Sequence, residues 1–186
     1  MSIRETMNNN PAMVTIGAVV VLVLCLGAIM CQVREPSGGQ GGAVQLYFLD
    51  EGTGMLFTAE SKQQPPIVAP SDTGGSTSGV RAHVLSCGDC PGNLDGLTRE
   101  EVQAQGAFIG YLEKYTPEAK AAMEQAMSGE EPDIAIMYEM DKGKLMRMPD
   151  SDQWIDANSE RAVDVHIANR EQCPGDVRPR QCFPNR

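Results

Sequence analysis

Four cysteines carry the densest chemistry in this sequence: Cys87 and Cys90 in "VLSCGDCPG", and Cys173 and Cys182 in "CPGDVRPRQC". Four thiolates are the number that a tetrahedral structural zinc takes. A C-x2-C turn with glycine inside it and after it can aim two sulfurs at one ion while its backbone N–H groups face them. The second half of the pattern is looser, because C-x8-C stands where a second C-x2-C would complete the strong spacing. Disulfides answer the same residues in an oxidising compartment, where a small domain rich in glycine and proline gains from staples. Closing the short loop from Cys173 to Cys182 would contribute about 2 to 3 kcal/mol. Four cysteines allow three pairings, and spacing does not choose among them. Cys87, Cys90, Cys173 and Cys182 are thus expected either as the ligands of a structural Zn2+ or as the arms of disulfides.

Electron exchange is the third chemistry open to "CGDC", with Cys87 as nucleophile and Cys90 as resolving thiol. The tetrapeptide is one letter from the "CGPC" of thioredoxin-like proteins, where a helix begins at the first cysteine and lowers its thiol pKa. Here Pro91, Gly92 and Gly96 follow, and the first helix cap is Thr98, so the activating dipole is missing. Pro91 in place of histidine also excludes the C-x-x-C-H haem pattern. His83, four residues before Cys87, could replace one sulfur on a metal, against the plainer reading of a partly exposed strand histidine. Met137, Met140, Met146 and Met148 crowd one segment, and thioethers suit Cu(I), although methionine more often fills irregular cores. There is no G-x-S-x-G, no G-x-G-x-x-G and no P-loop. The acidic "SGEEPD" lacks the alternating oxygen ligands of a calcium loop.

The elements that must position these thiols begin with the composition. Asp and Glu number 25 against 15 Lys and Arg, a net charge of −10 that repels phosphate backbones and excludes nucleic acid as a partner. Gly (19) and Pro (12) imply long loops between short elements. Residues 11–31, "PAMVTIGAVVVLVLCLGAIMC", contain no charge and are long enough to cross a bilayer. The run is longer than the ~7 to 15 residues of a secretory signal, and "GAIMCQ" has no small-x-small cleavage site. Met30 before Cys31 argues against a lipoprotein. Cys25 and Cys31 would then be small hydrophobes. The flanking charges nearly balance, so orientation rests on the short polar "MSIRETMNNN" staying inside while the long acidic remainder crosses. The expected organisation is a tail at 1–10, a transmembrane helix at 11–33, a flexible linker at 34–43 and an acidic extracytoplasmic α+β domain at 44–186. That places a single-pass protein in the inner (cytoplasmic) membrane.

Within the domain, "VQLYFLDEGTGMLFTA" at 44–59 predicts a hairpin turning at "DEGTG". "PPIVAPSDTGGSTSG" predicts an irregular loop, and "VRAHVLS" at 80–86 a strand that runs into Cys87. Thr98 with Glu101 is a capping box that starts a helix. Val102, Gln105, Phe108, Ile109, Leu112 and Tyr115 continue it as a mostly apolar stripe. Thr116 and Pro117 mark a second start and Gly129 its end, so one kinked helix or two short ones are expected over 99–128. "DIAIMYEMDKGKLMRM" at 133–148 predicts a second hairpin turning at "DKG". Its outline from Tyr138 to Leu145 is similar to Tyr47 to Leu56, a faint sign of an internal repeat. A last helix capped by Ser159 delivers the chain to Cys173.

The phrases "YFLDEGTGMLF", "PPIVAPSD", "GVRAHVLSCGDC", "IGYLEKYTPEAK" and "QWIDANSE" are together similar to an uncharacterised family of small, single-span bacterial membrane proteins of planctomycete type. The resemblance covers most of the region after the apolar run; it implies a bacterial membrane protein and supplies no catalytic residues. The expected fold is α+β: an N-terminal transmembrane helix, then two β-hairpins and short helices closed by the four-cysteine cluster, zinc-ribbon-like or disulfide-stapled. The expected function is a membrane-anchored, non-enzymatic interaction or accessory module with other membrane or envelope proteins as partners. The alternative is a membrane-tethered thiol-disulfide redox protein using Cys87 and Cys90.

Overall fold

The computed structural model describes residues 44–127 and 134–184. Seven strands are found there: β1 (Gln45–Asp50), β2 (Leu56–Glu60), β3 (Gly79–Ser86), β4 (Ala107–Tyr115), β5 (Lys144–Arg147), β6 (Ile155–Asp156) and β7 (Arg180–Gln181). The helices are α1 (Arg99–Ala104), α2 (Pro117–Met127), α3 (Ile134–Lys142) and α4 (Glu160–Glu171). One antiparallel sheet runs β2-β1-β3-β4-β5-β6, and β7 adds to β3. The first hairpin forms as its sequence predicts, pairing Leu49 with Leu56 across a turn in which Gly54 holds φ 73°. The following Pro, Gly and Ser-rich loop has no strand or helix, and carboxylates fasten it instead. Asp72 accepts the backbone N–H groups of Ala69 (2.7 Å) and Ser78 (2.8 Å), and buried Asp50 accepts those of Gly52 (2.9 Å) and Ser71 (3.3 Å).

Alternation along β3 divides the sheet into two faces. Val80, Ala82 and Val84 join Tyr47, Leu56, Leu94, Ile109 and Leu112 in the main core. The short α1 adds Val102, which is fully buried. Its capping box is formed: Thr98 Oγ1 accepts the N–H of Glu101, and the Glu101 carboxylate accepts the N–H of Thr98 at 2.8 Å. On the opposite face α4 lays Ala162 and Val165 over Met146, with Tyr111, Met148 and Ile155 at the margin.

Two expected elements are different in the structure. The helix expected over 99–128 stops at Ala104; Gly106 turns the chain at φ 84°, and residues 107–115 are strand β4. Phe108, Ile109, Leu112 and Tyr115 match helical spacing only because a central strand covered on both sides takes apolar residues at odd and even positions alike. Gly110 sits where the β3–β4 register shifts between His83 and Val84, and a Cβ there would come within 2.5 Å of Leu85 Cδ1. The second expected hairpin is instead helix α3 followed by β5, which removes the basis of the internal repeat. Gly143 joins the two, and a Cβ on it would collide with the Ala119 Cβ of α2. The start of α2 is as predicted, with Thr116 Oγ1 accepting the Ala119 N–H at 3.3 Å. α4 starts after Ser159, which stands at the N-cap as expected, although its hydroxyl donates to the Asp156 carbonyl at 2.6 Å instead of accepting from the first turn.

Among the described residues no helix is long and apolar enough to cross a membrane. The tail at 1–10, the transmembrane helix at 11–33 with Cys25 and Cys31, the linker at 34–43 and the helix end at Gly129 lie outside those residues. The expectation is corrected to what the fold supports: an antiparallel α+β domain, with no spanning helix in it and no support for single-pass placement in the inner membrane.

Candidate functional site

The four thiols resolve into two bridges. Cys87 bonds Cys173 (Cα–Cα 5.3 Å) and Cys90 bonds Cys182 (Cα–Cα 5.4 Å). β3 runs directly into Cys87, and α4 ends two residues before Cys173. β7 sets Gln181 opposite Leu85, and the Cys182 N–H donates to the Val84 carbonyl at 2.8 Å, so the tail lies along the end of β3. The first bridge closes a separation of 86 residues, worth about 4 to 5 kcal/mol on the loop-entropy relation. With it in place the second closes only the short remaining ring and adds about 3 kcal/mol.

Structural Zn2+ and the zinc-ribbon reading are overturned on this geometry, since every sulfur of Cys87, Cys90, Cys173 and Cys182 is committed to a covalent bond. Among the described residues no group of three or more His, Cys, Asp or Glu is placed to hold a metal ion. Cys87 and Cys90 are also not bonded to each other, so the C-x2-C redox pair is not formed; each reaches instead to the C-terminal segment. The methionines do not gather on one hairpin. Met137 and Met140 lie on α3, while Met146 and Met148 pack toward α4.

A second constellation lies on the α4 face of the sheet, one residue out of step with the core. Glu113 of β4 is 1% exposed. Its carboxylate accepts from Arg81 Nη1 (3.2 Å), His83 Nε2 (3.2 Å) and Lys144 Nζ (2.9 Å). Register explains the convergence: Arg81 lies directly opposite Glu113, His83 opposite Tyr111, and Lys144 opposite Tyr115 on the far side. Burial alone would raise the Glu113 carboxyl, but hydrogen bonds from His83 and Lys144 hold it at about 2.

A carboxylate only accepts, so His83 Nε2 carries a proton toward Glu113. Its Nδ1, 3.3 Å from Gln181 Nε2, is then the acceptor for that amide, and the Nε2–H tautomer satisfies both neighbours. The His83 ring stacks on Tyr111 at 4.0 Å, and His166 of α4 meets Tyr111 edge-on at 5.2 Å. Both histidines of the chain therefore flank one phenol. Burial first, and the Glu113 charge second, push that phenol up to about 12, against the opposing pull of Arg81.

Glu113 has both oxygens engaged, Arg81 is pinned to it, and Lys144, 39% exposed, is the member most open to water. The arrangement surrounds one buried carboxylate with an arginine, a lysine and a histidine inside the sheet. Of the residues singled out by sequence, the structure brings Cys87, Cys90, Cys173 and Cys182 together and places His83 on the Glu113 cluster rather than on the sulfurs. Arg81, Glu113 and Lys144 escaped notice. The available signal was the alternation in "VRAHV", which puts Arg81 and His83 on a single strand face.

No protein-family model matches the sequence, no curated protein matches it, and no solved structure matches the fold. The class that fold and site define is an antiparallel α+β domain stapled by two disulfides over a buried charge cluster.

Proposed function

We propose that the chain is a non-enzymatic binding module of an oxidising compartment, in which both disulfides and the Glu113 cluster serve to hold a surface in shape. The observation that carries this reading is that the reactive groups are already occupied. All four described cysteines are bridged, and the buried carboxylate already accepts from Arg81, His83 and Lys144. Disulfides persist in extracytoplasmic settings, which fits envelope or membrane proteins as partners.

The surface with binding character is α3. Ile134, Met137 and Tyr138 stand at i, i+3 and i+4 and are 82%, 58% and 62% exposed. Exposed Glu139 and Asp141 lie on the same helix, and the net charge of −10 favours a protein segment with apolar anchors and basic flanks. Lys142 lies over one side of the Tyr138 ring at 5.8 Å and leaves Ile134 and Met137 open. Three side chains make a small patch, so the contact is a transient one.

A photo-reactive residue placed at Met137 of the full chain, with a second placed at exposed Val177 as reference, tests this in intact cells. The expected result is a discrete adduct with another protein from position 137 that is absent from position 177. Equal labelling from both positions, or none from either, overturns the reading. An adduct with the mass of two copies replaces the foreign partner by self-association.

A further inference from the structure

The two disulfides present unequal ends to solvent. Cys90 is exposed and Cys87 partly so, whereas Cys173 is 5% and Cys182 3% exposed, the latter inside the main core. Thiol-disulfide exchange proceeds by attack of a thiolate on one sulfur while the other leaves. An incoming thiolate therefore meets Cys90, and the leaving sulfur belongs to Cys182. The attacked residue is three positions from Cys87, within the spacing that closes C-x2-C disulfides. What the leaving sulfur holds is short: β7 is two residues long, and it is tied to the sheet by its pairing to Leu85 and Ser86, by the Cys182 N–H to Val84, and by Gln181 on His83. A two-residue strand does not stay paired on its own hydrogen bonds.

We propose that the Cys90–Cys182 bridge is an exchange site for a dithiol reductant, and that opening it moves a disulfide into the C-x2-C turn and frees the C-terminal segment from Cys173 onward. A thiolate of the dithiol attacks Cys90 Sγ; the Cys90–Cys182 bond breaks, a mixed disulfide forms, and Cys182 leaves as a thiolate. The second thiol of the dithiol attacks its own sulfur in the mixed disulfide, so the dithiol departs oxidised and Cys90 is released as a thiolate. Cys90 then attacks Cys87 Sγ; the Cys87–Cys173 bond breaks, Cys87–Cys90 forms, and Cys173 leaves and takes up a proton, as Cys182 does. One dithiol becomes one disulfide, and the protein passes from two disulfides to one disulfide and two thiols. Release of the segment strips Gln181 from His83 Nδ1 and uncovers the end of β3. This inference is independent of any role for α3.

The test uses the oxidised full chain with Cys25→Ser and Cys31→Ser, exposed to rising dithiothreitol, quenched with N-ethylmaleimide and mapped by peptide mass spectrometry. The expected first product carries label on Cys173 and Cys182 and none on Cys87 or Cys90, which remain linked to each other. Tryptic cleavage after Arg180, measured before denaturation, rises in step with that label. A first product labelled at Cys90 and Cys182 with Cys87–Cys173 intact overturns the transfer. Label appearing first at Cys87 and Cys173, or at all four cysteines together, overturns the preferred entry at Cys90.

Discussion

On one face of β3, Val80, Ala82 and Val84 meet Leu112 and Val102 with almost no surface left to water. On the other face, one residue out of step, Arg81 and His83 meet Glu113. The strands are shared, but the first face is stabilised by apolar area removed from water and the second by charged groups gathered around a buried carboxylate. Apolar burial is indifferent to pH and tolerant of small shifts. A buried ion cluster holds only while each member is present. The comparison therefore predicts that neighbouring residues of β4 fail in different ways.

Glu113→Ala is the largest expected effect. It leaves the Arg81 guanidinium, 17% exposed, facing Lys144 with no carboxylate between them. Breaking a buried pair costs about 3 to 5 kcal/mol, and the partly exposed Lys144, which can rehydrate, sets the low end. Leu112→Ala, one residue away on the opposite face, costs about 2 to 5 kcal/mol through lost burial and the cavity left behind. Urea unfolding at several pH values separates the two: the Leu112 variant keeps the wild-type pH profile at lower stability, and the Glu113 variant changes the profile itself. Parallel profiles for both would erase the distinction between the faces.

The sign of that pH dependence follows from the direction of the shift. The Glu113 carboxyl lies at about 2 in the fold against an ordinary 4.5, so its contribution is complete above pH 4.5 and is lost as pH falls toward 2. A displacement of that size corresponds to about 3 kcal/mol. Glu113→Gln keeps the shape and removes this acid limb. A smaller slope remains, because Asp72, held at about 2 by the Ala69 and Ser78 N–H groups, and Asp50, lowered by Ser71 and Gly52 against its own burial, titrate on the same side. An unchanged acid limb in the Gln variant would place the pH sensitivity in the Asp50–Asp72 loop instead.

How far these regions could be read from sequence follows from the same physics. The first hairpin, β3 and the Thr98 capping box were legible because turn glycines, alternation and caps are local signals. Strand β4 was not, since Phe108, Ile109, Leu112 and Tyr115 satisfy helical spacing and a strand buried on both faces loses its alternation. That misreading hid the charge cluster, because Glu113 faces Arg81 only when 107–115 is extended. Helix α3 reads as half of a hairpin in sequence because "DKG" is as good a helix end as a turn. The cysteine pairing was beyond reach, as spacing fits zinc and disulfides equally, and only the docking of β7 on β3 brings Cys182 to Cys90.

The smallest expected effect isolates the variable that the two faces confound. Arg99 and Asp150 form a two-point guanidinium–carboxylate pair, Nη1 to Oδ1 and Nη2 to Oδ2, the latter at 2.7 Å. Its chemistry matches that of Arg81 with Glu113, but the side chains are 33% and 67% exposed. The Arg99 hydrogen bond lowers the Asp150 carboxyl, yet water competes for both charges and little free energy is at stake. Asp150→Asn is expected to cost less than about 1 kcal/mol, with a further loss of effect in high salt, by the same urea measurement that registers several-fold more for Glu113→Ala. If the two substitutions cost alike, desolvation is not what makes the Glu113 cluster strong, and the difference between the faces must come from backbone register rather than from burial.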